Sequence, residues 1–228
     1  MKMGRISGII ALLWYIMGGG ISIVHGQDLQ EIVRTIDERQ QKIQTLAASF
    51  SQKRDTSLAK DPLFSAGIVK FKRPDRLHFI YSQPEPMEMA LDGKTLWIYY
   101  QGRSQAEKYS FSRNKKMTQY LEPVMGIFQK TFGQLAEEYA VTNLDGGEER
   151  TYRFRLHPRE EAVRKYLASV DLWIDKTSGA ILRFEMVETS KDRLNLEFKD
   201  LKINPPLTDE ELTIVIPHSV RVQEQVAP

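Results

Sequence analysis

Between Phe64 and Tyr100 the chain reads FSAGIVKFKRPDRLHFIYSQPEPMEMALDGKTLWIYY, with apolar and polar residues alternating through four short runs. Each break between runs holds Pro, Asp or Gly. Period-two alternation punctuated by turn residues specifies strands joined by tight turns and buried on one face. The apolar residues of this meander are large: Phe71, Leu77, Phe79, Tyr81, Met87, Met89, Leu91, Trp97 and Tyr99. An Arg73-Pro74 pair sits at its first turn.

Before the meander, residues 28–52 carry Leu29, Ile32, Val33, Ile36, Ile43, Leu46, Ala47 and Phe50 close to helical spacing. The spacing predicts an amphipathic helix over 28–52, N-capped by Asp28, with its apolar stripe packed on the sheet. A membrane-surface helix is the sharper alternative, and the mixed charges of the polar face disfavour it. Residues 54–62 read as a polar connector. After the meander, residues 106–111 continue the strands. Residues 117–139, dense in Met and Phe and including Met125 and Phe128, predict one or two helices, interrupted near Pro123 or around Gly126 and Gly133.

Strand patterning resumes at Val141, with a turn at Asp145-Gly146-Gly147. Runs follow at 151–156, 167–175, 180–189, 193–203 and 212–217, with a hairpin loop at 175–179. About eleven strand-like runs result. Antiparallel strands with helices placed before and within them indicate an α+β architecture.

The chain has 228 residues, 41% hydrophobic and 27% charged, which suits one globular domain, here expected over 27–228. Residues 1–26 differ: Lys2 and Arg5 precede an apolar run from Ile9 to Met17, followed by Gly18-Gly19-Gly20. That plan is a secretory signal peptide, cleaved near Gly26, and the apolar run is short for a membrane anchor. Removing Lys2 and Arg5 takes the formal net charge from +2 to 0. A neutral balance argues against nucleic acid and against a polybasic membrane anchor. The sequence has no cysteine, so its stability has to come from the core, and it lacks the acylated cysteine of a lipoprotein.

Patterns that carry chemistry are sparse. None of the four histidines has a partner at a metal-ligand spacing, and no cysteine is present to supply a zinc or iron–sulfur ligand. No nucleophile elbow, phosphate loop or dinucleotide fingerprint appears, so no catalytic residue, metal or cofactor is expected. The adjacent carboxylates Glu137-Glu138, Glu148-Glu149 and Glu160-Glu161 do not face one another and read as solvated surface. A triad assembled only by folding stays open as an alternative.

The positive signal is the apolar surplus on the strands. A sheet of about eleven strands curls through its twist, and helices on its concave side would enclose a volume. That volume is either a packed core or an apolar pocket of the kind that takes acyl chains, and periodicity alone favours the packed core.

One resemblance spans nearly the whole mature chain, in order. Phe50-Ser51-Gln52, Gly67, Arg73-Pro74, Phe79, Tyr81, Pro84, Asp92-Gly93, Leu96-Trp97 and Tyr99 resemble the LolA-like periplasmic carriers of outer-membrane lipoproteins. Phe154 to Pro158, Asp175 with Gly179-Ala180-Ile181, Phe198 with Asn204, and Leu212 to Val220 continue the match. Departures cluster at Asp75, Leu77, His78, Phe79 and Ile80, with Ser219 in place of a glycine, and they bear on cavity shape and cargo.

The resemblance implies an open, eleven-stranded antiparallel half-barrel with helices lidding the concave face. It implies a monomeric periplasmic chaperone, not an enzyme, that takes acylated lipoproteins from an inner-membrane transporter to an outer-membrane acceptor. It implies that Arg73 bonds the helical lid and holds it shut. Candidate cavity residues are Phe71, Leu77, Phe79, Tyr81, Met87, Met89, Leu91, Trp97 and Tyr99, with Ile36, Ile43, Met125 and Phe128 from the helical regions. Two alternatives keep the fold: a carrier of a glycolipid or hopanoid, and an envelope sensor of mislocalised lipoproteins.

Overall fold

The computed structural model describes residues 29–111, 115–144 and 149–225. The signal segment, the Asp28 cap and the Asp145-Gly146-Gly147 turn lie outside the described residues.

In chain order the elements are α1 (Leu29–Gln40), β1 (Thr45–Asp55), β2 (Leu63–Lys72), β3 (Arg76–Gln83), β4 (Met87–Asp92), β5 (Thr95–Tyr100) and β6 (Gln105–Ser110). Then come α2 (Lys115–Gln129), α3 (Phe132–Glu138), β7 (Tyr139–Asn143), β8 (Thr151–Pro158) and α4 (Glu161–Arg164). The last are β9 (Leu167–Asp175), β10 (Ile181–Glu188), β11 (Arg193–Ile203) and β12 (Arg221–Gln225). The strands form one open sheet in the order β12-β6-β5-β4-β3-β2-β1-β11-β10-β9-β8-β7, antiparallel except where β12 runs parallel to β6. This is the expected open antiparallel half-barrel, with twelve strands rather than eleven.

Three differences account for the count: β1 and β12 are strands that the pattern did not mark, and residues 212–217 are not one. The helix predicted over 28–52 ends at Gln40, and residues 45–55 are instead the strand β1 at the centre of the sheet. Leu46 and Phe50 satisfy both periods, and the choice between them is made by pairing with β2 and β11 on either side. The helix is closed by a tight turn, with Lys42 N–H bonding Arg39 O and Ile43 N–H bonding Gln40 O. Residues 212–217 are not a strand. Pro205, Pro206 and Pro217 bracket this segment and carry no N–H, which removes donors a ladder needs.

Instead, the stretch after β11 crosses the convex face as a strap and delivers the chain to β12. A 3₁₀ turn at Glu210–Leu212 lies over β2 and β3, with Leu212 buried beneath it. Lys70 and Lys72 pair with Glu211 (2.7 Å) and Asp209 (2.8 Å). Under the strap His78 is buried, its Nδ1 3.0 Å from Glu211 O and its Nε2 2.9 Å from a Glu88 carboxylate oxygen.

In the 117–139 region the break between helices falls at Lys130-Thr131, between Gly126 and Gly133 as the second alternative has it, and not at Pro123, which lies inside α2. Thr131 sets the break because it forms a capping box with Gln134.

On the convex side of β8–β10, Asp171 accepts two bonds from Arg155 (2.7 and 2.8 Å) and one from Arg153 (3.2 Å). Trp173 lies between the Arg153 and Arg183 guanidinium groups, at 4.7 and 4.3 Å. Burial pushes the Asp171 carboxyl up, but the bonds and charges of Arg155 and Arg153 outweigh it and hold it below the usual carboxylate range. A depressed carboxyl contributes stability that is complete above the unfolded value of about 3.9 and is lost as pH falls through the lower folded value. Asp171→Asn is therefore expected to cost about 2–3 kcal/mol at pH 7 and progressively less below about pH 4, read by urea melts at both pH values.

Candidate functional site

The site is the concave face of the sheet and the helices laid over it. The register shows how the sequence builds it. Phe71, Leu77, Leu91 and Leu96 form one row across β2–β5; Val69, Phe79, Met89 and Ile98 form the next; Tyr81, Met87 and Tyr100 a third. Alternation places all of these on one face. From the other half of the sheet, Phe184 pairs with Leu196 and Met186 with Leu194. Gly67 lets β2 approach β3 closely, since a Cβ there would stand 2.0 Å from the Ile80 carbonyl oxygen.

Between these faces and α2 lies a cavity of about 550 Å³. Phe79, Tyr81, Met87, Met89, Tyr100, Leu121, Val124, Phe184, Met186, Leu194 and Leu196 give it an apolar wall. Its rim is polar, with Gln52, Gln83, an Arg54–Glu188 pair (3.6 Å) and an Arg103–Glu85 pair (3.5 Å). Tyr81 hands its hydroxyl to Gln52 at 3.3 Å, and burial pushes its phenol up to about 12.

Phe128 of α2 marks the inner end. Its ring lies 5.8 Å from Phe79 and Phe198, 6.2 Å from Phe71 and 6.5 Å from Phe184, contacting both halves of the sheet. Beyond it is a narrow chamber of about 50 Å³ lined by Ile43, Leu46, Val69, Phe71 and Phe198, with Arg73 and Gln40 at its wall. A third space, about 40 Å³, is lined wholly by apolar side chains, among them Leu77, Leu91, Leu96 and Met125.

Arg73 stands where the helices end. Its Nε donates to Ile43 O (2.8 Å), one terminal nitrogen to Gln40 O (3.2 Å) and the other to Gln129 O (3.4 Å). One guanidinium thus caps the C-termini of both α1 and α2, where unpaired carbonyls and the helix dipole favour a cation. Burial lowers its pKa. Other bonds tie the helices together. Asp37 accepts from Gly133 N–H (2.7 Å) and the Thr131 hydroxyl (3.1 Å). The Gln40 side chain accepts from Phe132 N–H (2.7 Å) and donates to Gly179 O (3.0 Å). At Gly133 a Cβ would fall 2.3 Å from an Asp37 oxygen, so a larger residue would push that carboxylate off its donors. Lys130 joins Glu122 and Glu138 at 2.9 and 2.7 Å.

The residues singled out from sequence divide as follows. Phe79, Tyr81, Met87 and Met89 line the main cavity; Phe71, Ile43 and Phe128 line the narrow chamber; Leu77, Leu91 and Met125 line the smallest space. Ile36 is fully buried in the α1 stripe and lines none of these three spaces. Trp97 and Tyr99 are on the opposite, convex face: Trp97 pairs with Ala90 and lies under Lys108, and Tyr99 pairs with Glu88. A continuous apolar run, Leu96 to Tyr100, hides its phase, and only the register assigns Leu96, Ile98 and Tyr100 inward. Leu121, Val124, Phe184, Met186, Leu194 and Leu196 were not anticipated. Alternation marked the strand residues among them, but not that β10 and β11 close across from β3 and β4.

Among the described residues, no group of three or more His, Asp or Glu side chains could hold a metal ion, and no helix is long and apolar enough to cross a membrane.

Comparison with known proteins agrees with this geometry. The family model described as outer membrane lipoprotein carrier protein LolA matches residues 41–215. An outer-membrane lipoprotein carrier protein of Pseudomonas aeruginosa is 24% identical over 206 residues, covering 90% of this chain and 93% of the relative. One from Pasteurella multocida is 24% identical over 198 residues, covering 83% and 85%. Among solved structures, an uncharacterised conserved protein from Thermus thermophilus superposes with a TM-score of 0.54 at 13% identity, over 86% of this chain and 98% of that one. MucB superposes with a TM-score of 0.50 at 16% identity, over 85% of this chain and 64% of MucB. At these identities the structural likenesses speak to the fold alone.

Proposed function

Since the chain belongs to the LolA family of outer membrane lipoprotein carrier proteins, we propose that it is an exported, non-enzymatic carrier of acylated lipoproteins. In this reading residues 1–26 direct export to the periplasm and are removed, leaving one domain. Cargo arrives from an inner-membrane transporter and leaves to an outer-membrane acceptor. The observation that carries the reading is the apolar cavity of about 550 Å³ on the concave face, open through a polar rim.

The physical need is plain. Each methylene withdrawn from water contributes about 0.8 kcal/mol, so one long acyl chain gains on the order of 10 kcal/mol in a site of this kind. Without a carrier the acyl chains would not leave a membrane. With a site that bound as tightly as its area permits, they would not leave the carrier. Part of the gain has to be offset by work done on opening.

The latch at Arg73 suits that work. A bond from a charged donor contributes about 1.5–3 kcal/mol net, and lifting the helices off Arg73 gives up the two to Gln40 O and Gln129 O. Lifting α2 also withdraws Phe128 from between the sheet halves, which would join the separate spaces. Loading thus exchanges protein–protein contacts for protein–acyl contacts, and the net affinity stays low enough for hand-over.

A carrier of free envelope lipid is the second reading, favoured by size: in the closed state the main cavity has room on the order of one acyl chain rather than several. Mass spectrometry of the protein purified from its native periplasm separates the two. Triacylated lipoprotein in the bound fraction is the expected result. Free lipid alone would move the assignment to the second reading, and no bound lipid of any kind would sink both.

A further inference from the structure

The tip of the β1–β2 hairpin carries three of the largest exposed apolar side chains among the described residues: Leu58 is 94% exposed, Phe64 64% and Leu63 53%. They gather at one end of one hairpin, and nothing in the sheet or helices covers them. We infer that this tip is a membrane-contact element, inserting Leu58, Leu63 and Phe64 into the interfacial region of a lipid bilayer. The inference deepens the carrier reading and rests on it for its purpose.

Position is the first reason. The two strands that bear the tip lead straight into the cavity: Gln52, Arg54 and Ser65, just below it, line the mouth, and Leu63 is the register partner of Arg54. A bilayer touched by the tip would therefore lie against the opening through which acyl chains pass.

Backbone satisfaction is the second. Ser57 N–H and the Thr56 hydroxyl are held by Asp192 of the β10–β11 turn at 2.9 and 3.0 Å. Leu58 N–H bonds the Thr56 hydroxyl and Ala59 N–H bonds Thr56 O. These four donors already have partners, so the tip can enter a poorly hydrated layer without stranding them.

Size is the third, and it selects the occupant. Three partly exposed side chains offer roughly 300 Å² of apolar surface, well below the ~800 Å² per partner of a stable protein interface. A bilayer asks for no matching surface, and each side chain partitions by itself. Weak, reversible contact is what a shuttling molecule can use. Between residues 53 and 64 the cations Lys53, Arg54 and Lys60 are nearly balanced by Asp55 and Asp61, so the contact is apolar rather than electrostatic.

The test uses the full mature chain and protein-free vesicles of phosphatidylethanolamine and phosphatidylglycerol. Wild type is expected to float with the vesicles in low and high salt. Leu58→Asp and Phe64→Asp, both at exposed positions, are expected to lose about tenfold in flotation while keeping the wild-type melting temperature. Leu58→Trp is expected to show a blue-shifted emission with vesicles and quenching by brominated lipid beyond that of Trp97 and Trp173. An unshifted Leu58→Trp spectrum, as would follow if the tip met only a protein acceptor, overturns the proposal, as does undiminished flotation of the aspartate variants. Binding of a triacylated lipopeptide in detergent, measured on the same proteins, is expected to be unchanged. Its absence in the wild type would count against the carrier reading alone, because flotation is read without cargo.

Discussion

An Arg73→Leu variant is expected to load acylated cargo and release it poorly. The apparent affinity of a two-state carrier is its intrinsic affinity reduced by the fraction of molecules that are open. In the proposed reading Arg73 holds that fraction down through its bonds to the Gln40 and Gln129 carbonyls at the ends of α1 and α2, which opening would break. Leucine keeps the stem apolar and removes every donor. If the latch contributes about 3 kcal/mol to closure, its loss raises apparent affinity by roughly a hundredfold, at 1.4 kcal/mol per tenfold. The empty protein should melt several degrees lower, and the cargo-loaded protein should lose less. Transfer of lipopeptide to a purified acceptor, followed over time, is the decisive measurement. Transfer at the wild-type rate by Arg73→Leu would show that Arg73 is a structural cap and not a latch.

Phe128→Ala is expected to enlarge the binding site and tighten cargo binding at the expense of the empty fold. The Phe128 ring contacts Phe71 and Phe79 on one half of the sheet and Phe184 and Phe198 on the other. Removing it would join the main cavity of about 550 Å³ to the narrow chamber behind it. Truncating a fully buried phenylalanine costs about 3–5 kcal/mol when the gap stays empty, and Phe128, which is half-buried, should cost somewhat less. An acyl chain can fill that gap, so much of the penalty should be recovered on loading. The prediction is a large drop in melting temperature without cargo, a small one with it, and tighter binding of a long-chain fluorescent fatty acid. Equal losses in both states would mean that Phe128 belongs to a permanent core and does not yield to cargo.

These two variants probe opposite parts of one balance. Arg73 acts through donors at the helix ends, and Phe128 through volume between the sheet halves. Both residues line the narrow chamber and Phe128 directly precedes Gln129, whose carbonyl Arg73 bonds, so the effects of the two substitutions are expected to be coupled rather than additive in the double variant.

The meander of residues 64–100 was legible because its turns are written in Pro, Asp and Gly and its strands in period-two alternation. Strands at 151–158, 167–175, 181–188 and 193–203 were legible for the same reason. The lining of the cavity was legible only in part. Phe79, Tyr81, Met87 and Met89 face it as alternation predicts, whereas the unbroken run Leu96-Trp97-Ile98-Tyr99-Tyr100 contains no polar residue to mark its phase. Arg73 could be singled out only through family resemblance, since an arginine before a proline in a turn is ordinarily a surface residue.

By itself, then, the sequence determined local periods, turn positions and the likeness to a family. Tertiary structure decided what local pattern leaves degenerate. Leu46 and Phe50 fit a helix and a strand equally well. The strand won because β2 and β11 offer backbone partners on both sides, while Arg73, some thirty positions downstream, takes up the carbonyls that end α1. The strap after β11 lies flat on the convex face because its prolines deny it a ladder and His78, Lys70 and Lys72 hold it there. Whether the concave face is a filled core or a chamber was likewise beyond periodicity. It depends on how far apart β3–β4 and β10–β11 stand when the sheet curls, and on one phenylalanine from α2 that reaches both.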